Sequence, residues 1–502
     1  MLPKRWLWVQ RVAEVLWYLV LVTLPVTSFR YYPDIFGTTA VMPLAFTPLA
    51  FLLPLAFALQ WKRGSRHWLD AWVILGAFLF FTAVSSALGG LTSTIPPGDI
   101  TYASRVVRAW ISLGVGLAFF MGAMWMHRHI LDLQRSLRAL YAGLGLVIVW
   151  GFLQTAGVIL GMVDFEHMDT LQRLFSIRGL VPGRVSAFAF EPAWLADQII
   201  ALYLPWLVAS LLTGYRVSRY RWLEPLLFLL SLIILTLTYS RSGILIGIPL
   251  LAVFSSAFVI SRWLQGRKKA KLSESITTPL ATTRRKKWLG RAWKLGLAVV
   301  ILASLGVLLS YNNYFATLWQ YDPRTGIIDY VIDIKAGARL AYAWAGTQVF
   351  LHSPWLGVGF GASGFYLYDN LPDWSITVLP EIAYRLSLTP PPYPNIKNLY
   401  IRLLAETGLI GFAFFVIFFL YVFGDLVRLF ASPEQNKRFT GLAGLWLLLA
   451  FLLRAFSQDS LALPNMWLCL GIVLGVSAWT KDEENALGSA GGRTKARDEA
   501  KG

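Results

Sequence analysis

The sequence predicts an all-α integral membrane protein with about twelve transmembrane helices. It also predicts cytoplasmic termini and one large, partly helical external loop between spans nine and ten. Of the 502 residues, 56% are hydrophobic and only 14% are charged, whereas a globular domain carries about 25% charged residues. The apolar residues also fall into runs of about 20, which is long enough to cross a bilayer.

Twelve apolar runs are candidate spans, and every second connection between them is basic. Their bounds are roughly 7–29, 40–60, 69–90, 109–126, 138–162, 192–213, 222–239, 242–261, 295–312, 403–424, 440–456 and 463–480. The 262–294 connection alone carries eleven Lys or Arg and a single acid, Glu274. Because cytoplasmic loops are enriched in Lys and Arg, this alternation places both termini in the cytoplasm. The first span is long and has no small-residue cleavage site, so we expect no cleaved signal peptide.

We therefore expect one polytopic transmembrane domain over residues 1–480. It includes a basic cytoplasmic loop at 262–294 and a large external loop at 313–402. Residues 481–502 are charged and Gly-rich, which favours a disordered cytoplasmic tail. The net charge of +18 lies mainly in short loops between apolar runs, so it reflects membrane topology and not a nucleic-acid partner.

Cofactor and metal signals are missing from the sequence. The one cysteine, Cys469, excludes a disulfide within the chain and a Cys-rich metal site. No His, Cys and Asp cluster has metal-ligand spacing. There is no Walker loop and no Asp-x-Asp pair on a soluble domain, which disfavours a nucleotide-sugar donor. We expect no metal and no cofactor.

Two external stretches in the first half of the chain carry candidate site residues. In "GRVSAFAFEPAWLA", Arg184 and Glu191 precede Pro192, which is a helix-start signal. Glu191 could simply favour the helix dipole. In "TLTYSRSGILIG", Arg241 interrupts an apolar run and is expected at the turn between spans seven and eight. The alternative for Arg241 is an arginine that snorkels to the interface.

Two further stretches flank the end of the large external loop. "GARLAYAWAGTQVFLHSPWLGVGFG" carries Arg339 and His352, although such a histidine is commonly a packed or capping residue. Apolar spacing predicts a helix over 334–350 that ends at Ser353-Pro354. We expect the large external loop that contains this helix to cover the cavity as a lid. "YPNIKNLYIRLLAETGLIGF" carries Lys397, Asn398 and Tyr400.

Arginines on three separate external elements suggest a common ligand. Guanidinium groups stay charged and bind phosphate oxygens in bidentate fashion. A lipid diphosphate would lie at this depth, just outside the hydrocarbon. Arg184, Arg241 and Arg339 are therefore candidate diphosphate ligands, and Arg241 and Arg339 are predicted to lie within diphosphate distance of each other.

Taken in order, these four stretches resemble motifs of the O-antigen ligase and polymerase superfamily of membrane glycosyltransferases. "GRVSAFAFEPAWLA" is similar to the family's Arg…Glu-Pro segment, and "LTYSRSG" to its Ser-Arg-Gly-type hairpin. The third stretch is similar to its Arg…Pro-x-x-Gly-x-Gly loop. In "KNLYIRLLAETGLIG", the residues Asn398, Gly408 and Gly411 fit the spacing of its last signature. The resemblance covers about residues 180–425.

The resemblance implies a bacterial inner-membrane enzyme with its site facing the periplasm. Such an enzyme transfers a glycan from polyprenyl (undecaprenyl) diphosphate to an acceptor hydroxyl, with inversion and without a metal. The partners implied are the lipid-linked glycan, an acceptor glycan (a lipid-linked repeat or lipid A-core), membrane lipids and a chain-length regulator. Glycan contacts are expected from Asn398 and Tyr400.

One departure from the family pattern concerns the base. Lys397 stands where the signature has a histidine, and a lysine of ordinary basicity is protonated at pH 7. Catalytic candidates are therefore Glu191 as base, His352 as the next choice, and Lys397 as a further cation. The missing histidine favours an O-antigen or exopolysaccharide polymerase over a ligase. A lipid or solute transporter and an assembly protein are the alternatives from other classes.

Overall fold

The computed structural model describes residues 4–32, 41–63, 69–92, 100–127, 130–273, 317, 321, 323–324 and 326–499. All regular elements in these residues are helical, and the one strand-like pairing there is an isolated bridge between Ser28 and Met42. The all-α class is therefore confirmed for the described chain. The helices are α1 (Lys4–Thr23), α2 (Phe46–Arg63), α3 (Leu69–Thr92), α4 (Tyr102–Met126), α5 (Ile130–Gln154), α6 (Phe165–Arg173), α7 (Pro192–Gln198), α8 (Leu204–Thr213), α9 (Leu223–Leu237), α10 (Arg241–Ser273), α11 (Gly326–Asp333), α12 (Gly337–His352), α13 (Gly364–Leu367), α14 (Asp373–Val378), α15 (Pro380–Ser387), α16 (Leu399–Ala431), α17 (Gln435–Arg454) and α18 (Pro464–Glu499).

Several of these helices can span a membrane. Among the described residues, six segments are long and apolar enough to do so: Trp6–Thr23, Ala71–Thr92, Tyr102–Met126, Leu131–Ile159, Pro192–Thr213 and Leu399–Ala431. Three shorter apolar helices are Phe46–Lys62, Leu223–Leu237 and Arg241–Ala257. Each overlaps a predicted span, as do α17 and α18. The predicted ninth span, 295–312, lies outside the described residues, so the count of twelve remains a prediction.

Two spans contain a π-helical turn. The turns are Thr155–Ile159 at the end of α5 and Ile199–Tyr203 between α7 and α8. The second turn joins α7 to α8, so the three elements form one continuous span. Within this turn, the Ile200 carbonyl accepts from the indole nitrogen of Trp446 at 2.9 Å. Such turns are often found near functional sites, and this one begins directly after Asp197 and Gln198.

The segments that connect the helices contact one another at the two ends of the helix bundle. At one end, Ile177 donates to the Ser28 carbonyl at 3.2 Å and Phe190 to the Thr27 hydroxyl at 2.9 Å. This end also carries residues 326–398, and we call it the loop end. At the opposite end, Arg138 donates to the Val217 carbonyl at 2.8 Å. The predicted external connections thus meet at the loop end, while their sidedness in the membrane remains a prediction.

Helix α16 is broken at Gly408, whose φ of 64° and ψ of −171° are non-helical. A break at this point leaves the carbonyl groups of Ala405 and Glu406 without their usual helical donors. It also leaves the amide groups of Leu409 and Ile410 without their usual acceptors. Buried backbone groups of this kind must find other partners.

Residues 354–359, which we call the splice segment, satisfy all four groups. The amides of Val358 and Gly359 donate to the two carbonyls at 2.9 and 3.1 Å. The carbonyls of Pro354 and Trp355 accept from the two amides at 2.8 and 3.3 Å. The Pro-x-x-Gly-x-Gly motif therefore docks the large loop into the broken span, which fixes the loop relative to the bundle.

The large loop has a hydrophobic core of its own. Helix α12 buries Ala341, Tyr342, Ala345 and Val349, which pack in one cluster with Ala405 of α16 and with apolar residues of the loop. The predicted helix over 334–350 is confirmed by α12, which ends at Ser353 as expected. The lid role of this helix remains a prediction.

Two segments outside the predicted spans contain helix. Residues 163–191 include the short helix α6 of nine residues. Residues 481–499, for which disorder was expected, continue helix α18. These residues include many Ala, Glu, Lys and Arg, which have high helix propensity, so their charge does not by itself prevent a helix.

Candidate functional site

The hairpin between α9 and α10 brings Arg241 against the large loop. Tyr239 turns the chain with a φ of 47°, and α10 begins at Arg241. The Arg241 guanidinium donates to the Ile334 carbonyl at 2.8 Å and to the Thr317 hydroxyl at 3.2 Å. Arg241 therefore ties the hairpin to the loop on both sides of α11, which is a more specific role than snorkelling.

Arg184 lies at the same hairpin. Its Nε donates to the Thr238 carbonyl at 2.9 Å, and the next residue, Val185, donates its amide to the Leu237 carbonyl at 3.0 Å. The first and second candidate stretches are thus joined by hydrogen bonds, and Arg184 binds the chain three residues before Arg241.

Arg339 lies in the first turn of α12, five residues after the carbonyl that Arg241 binds, and it is exposed. Its charge acts on two carboxylates, Glu381 of α15 and Asp197 of α7. The three candidate arginines therefore belong to segments that meet at the loop end.

Glu191 precedes α7 with an extended backbone, but its side chain makes no capping hydrogen bond. Its carboxylate instead accepts from Arg178 at 2.9 Å, and about a third of the side chain is exposed (32%). Because Glu191 still precedes the first turn of α7, the helix-dipole alternative for it stays open beside the proposed site role. Its charge also acts on Asp197, six residues further along in α7.

His352 lies apart from these groups. It is the last residue of α12, is exposed, and places Nδ1 2.7 Å from the Gln348 carbonyl of its own helix. Thirteen residues of helix separate it from Arg339, which corresponds to roughly 20 Å along the axis. This placement matches the helix-end alternative for His352.

Lys397 adopts a left-handed backbone with a φ of 59°. Its Nζ donates to the Glu381 carboxylate at 3.1 Å and lies 5.3 Å from the Tyr342 ring centre. Its amide donates to the Asp459 carboxylate at 3.1 Å. Burial alone would raise the pKa of Glu381, but Lys397, Arg385 and Arg339 together lower that pKa below its usual value. The Lys397 side chain is thus ion-paired with Glu381, and its role as a further cation of the site stays a prediction.

Asn398 and Tyr400 have structural partners. The Asn398 side chain caps α16 by accepting from the Ile401 amide at 3.2 Å. The Tyr400 hydroxyl donates to the Leu452 carbonyl at 2.7 Å. The glycan-binding role that the sequence predicts for these two residues stays a prediction.

A buried ion pair beneath the arginines was not assigned to the site from the sequence. Nε of Arg454 lies 2.6 Å from Oδ1 of Asp197, and both side chains are at most 15% exposed. Arg454 also donates to the Ser242 hydroxyl at 2.9 Å and to the Ser457 hydroxyl at 2.7 Å. Charged residues inside spans are costly and usually functional, and that signal could have identified the pair.

A second buried pair lies beside the break in α16. Arg402 donates to Glu406 at 3.1 Å, and Glu406 accepts from the Ser363 hydroxyl at 2.8 Å. Arg402 also donates to the Asp459 carbonyl at 2.7 Å. Since Asp459 holds the Lys397 amide as well, this pair is connected to Lys397 through one residue.

The chemistry available at the loop end is cationic. Within the described residues, no three His, Cys, Asp or Glu side chains are grouped so that they could hold a metal ion. Guanidinium groups suit an anion with several oxygens, such as a diphosphate. The nearby carboxylates include Glu191, which is the sequence-predicted base and is partly exposed.

The matched family model is that of the O-antigen ligases, and it covers residues 226–416. This segment includes Arg241, Arg339 and Lys397, whereas Arg184 and Glu191 precede it. The match confirms the resemblance to the O-antigen ligase and polymerase superfamily. No curated protein matches the chain at a significant level.

Proposed function

We propose, from the O-antigen ligase match over residues 226–416, that the chain is a membrane glycosyltransferase with a lipid-diphosphate-linked glycan as donor. The observation that carries the proposal is the convergence of Arg184, Arg241 and Arg339 at the loop end. These residues come from three separate segments. Arg184 binds the Thr238 carbonyl in the hairpin that carries Arg241, and Arg241 binds the Ile334 carbonyl, five residues before Arg339.

The proposed reaction is an inverting, metal-independent displacement at the anomeric carbon. An acceptor hydroxyl oxygen forms the new bond to this carbon while the bond to the diphosphate oxygen breaks. The diphosphate leaves with the bonding electrons and stays attached to its polyprenyl chain, and the hydroxyl proton passes to a base. Charge develops mainly on the leaving diphosphate, so preorganised cations should supply the largest part of the rate enhancement.

The side chains have distinct proposed roles. Arg184, Arg241 and Arg339 bind the diphosphate, and Lys397 adds positive charge beside them. Glu191 is the proposed base, with Arg178 holding one of its oxygens at 2.9 Å. His352 is the weaker candidate because it lies at the far end of α12. Asn398 and Tyr400 border the proposed acceptor position at the start of α16.

A repeat-unit polymerase is favoured over a ligase because Lys397 replaces the histidine of the family signature. A transporter is disfavoured by the position of the buried charges. Arg454 is the last residue of α17 and Asp197 lies near the start of its span, so this pair is near the loop end and not at the midplane, where transporters bind their cargo. We place the protein in the bacterial inner membrane with the loop end toward the periplasm.

The test is an assay of the purified protein in nanodiscs with a polyprenyl-diphosphate-linked repeat unit as donor. One reaction contains the same lipid-linked unit as acceptor, and the other contains lipid A-core. Elongated lipid-linked glycan with release of polyprenyl diphosphate supports the polymerase, and glycosylated lipid A-core supports the ligase. Unaltered substrate in both reactions, with glycan movement across proteoliposomes, would overturn the proposal in favour of a transporter.

A further inference from the structure

A second group of arginines lies at the loop end on different elements. Arg105 and Arg108 are three residues apart in the first two turns of α4, and Arg402 comes from α16. The charges of Arg108 and Arg402 both act on Arg105. Like charges at this spacing on a helix are destabilising. A bound anion would relieve the repulsion within this group.

The protein supplies only part of the negative charge that this group needs. Glu406 pairs with Arg402 at 3.1 Å. Within the described residues, neither Arg105 nor Arg108 forms an ion pair with a carboxylate, and Glu406, which acts on Tyr393 beside Arg105, is already paired with Arg402. Among the described residues, the positive charges of Arg105 and Arg108 at the start of α4 therefore have no acidic partner, and Arg105 lies against Tyr393 of the loop.

Arg105 stacks against a tyrosine ring, and one of its hydrogen-bond donors has no partner among the described residues. Its guanidinium lies 3.5 Å from the centre of the Tyr393 ring, and the Tyr393 hydroxyl donates to the Gly361 carbonyl at 2.7 Å. The Nε of Arg105 is buried and has no hydrogen-bond partner in the described part of the chain. A buried donor without a partner requires an explanation, and a bound anion is one.

The second arginine group is separate from the first but adjacent to Lys397. Arg402 donates to the carbonyl of Asp459, whose carboxylate accepts from the Lys397 amide. On its other side, Lys397 pairs with Glu381, on which Arg339 also acts. Lys397 is therefore joined to Arg402 through Asp459, and on its other side it pairs with a carboxylate on which Arg339 acts electrostatically.

We infer that Arg105, Arg108 and Arg402 bind a phosphate group of the acceptor lipid. This inference rests on the proposed function, in which the donor diphosphate occupies the first arginine group. A polymerase uses two lipid-linked substrates, so it has two lipid phosphates to accommodate at one end of the bundle. Guanidinium groups bind phosphate in bidentate fashion, and the orphaned Nε of Arg105 supplies a donor for it. The same chemistry would also suit the headgroup of an ordinary anionic phospholipid.

The experiment measures transfer in nanodiscs of zwitterionic lipid. In one series the donor is saturating and the acceptor concentration is varied, and in the other the acceptor is saturating and the donor concentration is varied. Two acceptors are used: the polyprenyl-diphosphate-linked repeat unit and the same glycan as a neutral alkyl glycoside. Arg105→Gln, Arg108→Gln and the charge-retaining Arg105→Lys are compared with the wild type. Arg438→Gln, whose guanidinium donates to the Ser432 carbonyl at the opposite end, is the matched control.

Both Gln variants should raise KM for the diphosphate acceptor roughly tenfold or more, because a charge-assisted hydrogen bond is lost. Their KM for the donor and for the neutral acceptor should stay within about twofold of the wild type, and Arg105→Lys should recover part of the loss. This pattern cannot arise from misfolding, which would affect all substrates.

Three results would overturn the inference while leaving the proposed function intact. One is an unchanged acceptor KM in both Gln variants. Another is an equal rise in KM for the donor, which would assign the group to the donor. The third is an effect of the variants seen only after phosphatidylglycerol is added, irrespective of acceptor, which would assign the group to phospholipid. If the wild type transfers neither to these two acceptors nor to lipid A-core, the proposed function fails as well.

Discussion

Breaking the Asp197–Arg454 pair should separate stability from transfer. Arg454→Gln removes the contact to Asp197 and weakens the bonds to Ser242 and Ser457, and it leaves a carboxylate buried without a counter-charge. Loss of one partner of a buried pair costs about 3–5 kcal/mol. Either single variant, Arg454→Gln or Asp197→Asn, should therefore unfold at a clearly lower temperature than the wild type.

The double variant should recover much of this stability. Oδ2 of Asp197 has no hydrogen-bond partner among the described residues, so the native pair is incompletely satisfied. Neutral replacement of an incompletely satisfied buried pair costs little, because both desolvation penalties disappear together. Transfer should nevertheless stay at least about tenfold below the wild type. Without Arg454 the Ser242 hydroxyl no longer anchors the turn that positions Arg241, and small displacements of a binding group lower rates steeply.

The assay combines thermal unfolding, followed by tryptophan fluorescence in detergent, with transfer by the same preparations. The matched control is the Lys481–Asp425 pair, at 2.9 Å, at the opposite end of the bundle. Asp425→Asn with Lys481→Gln should change stability without a specific loss of transfer. A double Asp197→Asn, Arg454→Gln variant as active as the wild type would refute the idea that this pair positions the hairpin.

The remaining predictions concern the broken helix and Lys397. Gly408→Ala should destabilise the protein by about 1–3 kcal/mol, since the φ of Gly408 is positive and a Cβ there would meet the Trp355 carbonyl. Gly424→Ala is the control and should not destabilise the protein, because nothing lies within 4 Å of the new Cβ. Equal melting temperatures of the two variants would contradict the docking of the splice segment at Gly408. Lys397→Arg should keep substantial transfer and Lys397→Ala should lose it if Lys397 supplies charge; an Arg variant as inactive as Ala would instead make Lys397 a base. Because the folded-state pKa of Glu381 lies below its usual 4.5, its stabilising contribution is present above that pH and is lost as pH falls through the folded value. Melting curves of Glu381→Gln and wild type should therefore differ at pH 6–7 and approach each other as the pH falls through the lowered pKa of Glu381. A difference that grows toward low pH would contradict this sign.

Much of the helical architecture follows from apolar runs alone. A run of about 20 apolar residues must satisfy its backbone groups within itself in a bilayer, and a helix does so. The α12 helix and its end at Ser353 were equally predictable from spacing and from the following proline. The break at Gly408 was not, because it depends on backbone groups of residues 354–359 that are about fifty positions away in the chain.

The candidate site was predictable only in part, for a similar reason. Arg184, Arg241 and Arg339 stood out because each looks costly on an external element, and the structure places their segments together. The partners of Glu191 and Lys397 could not be predicted, since Arg178 and Glu381 look like ordinary loop charges. Asp197 and Arg454 each stand out as charged residues inside predicted spans, but no local pattern indicates that the two contact each other across more than 250 positions. The sequence position of Asn398 is consistent with two roles. It suits a helix cap, which the structure shows, as well as the predicted glycan contact.

The most direct test of the central claim is transfer by Arg241→Ala and Arg339→Ala in nanodiscs with a polyprenyl-diphosphate donor. Arg438→Ala, at the opposite end, is the matched control, and folding is checked by thermal unfolding. If these arginines bind the leaving diphosphate, both variants should fold and lose transfer by at least about a hundredfold, while the control transfers normally. Wild-type rates in both variants would contradict the account.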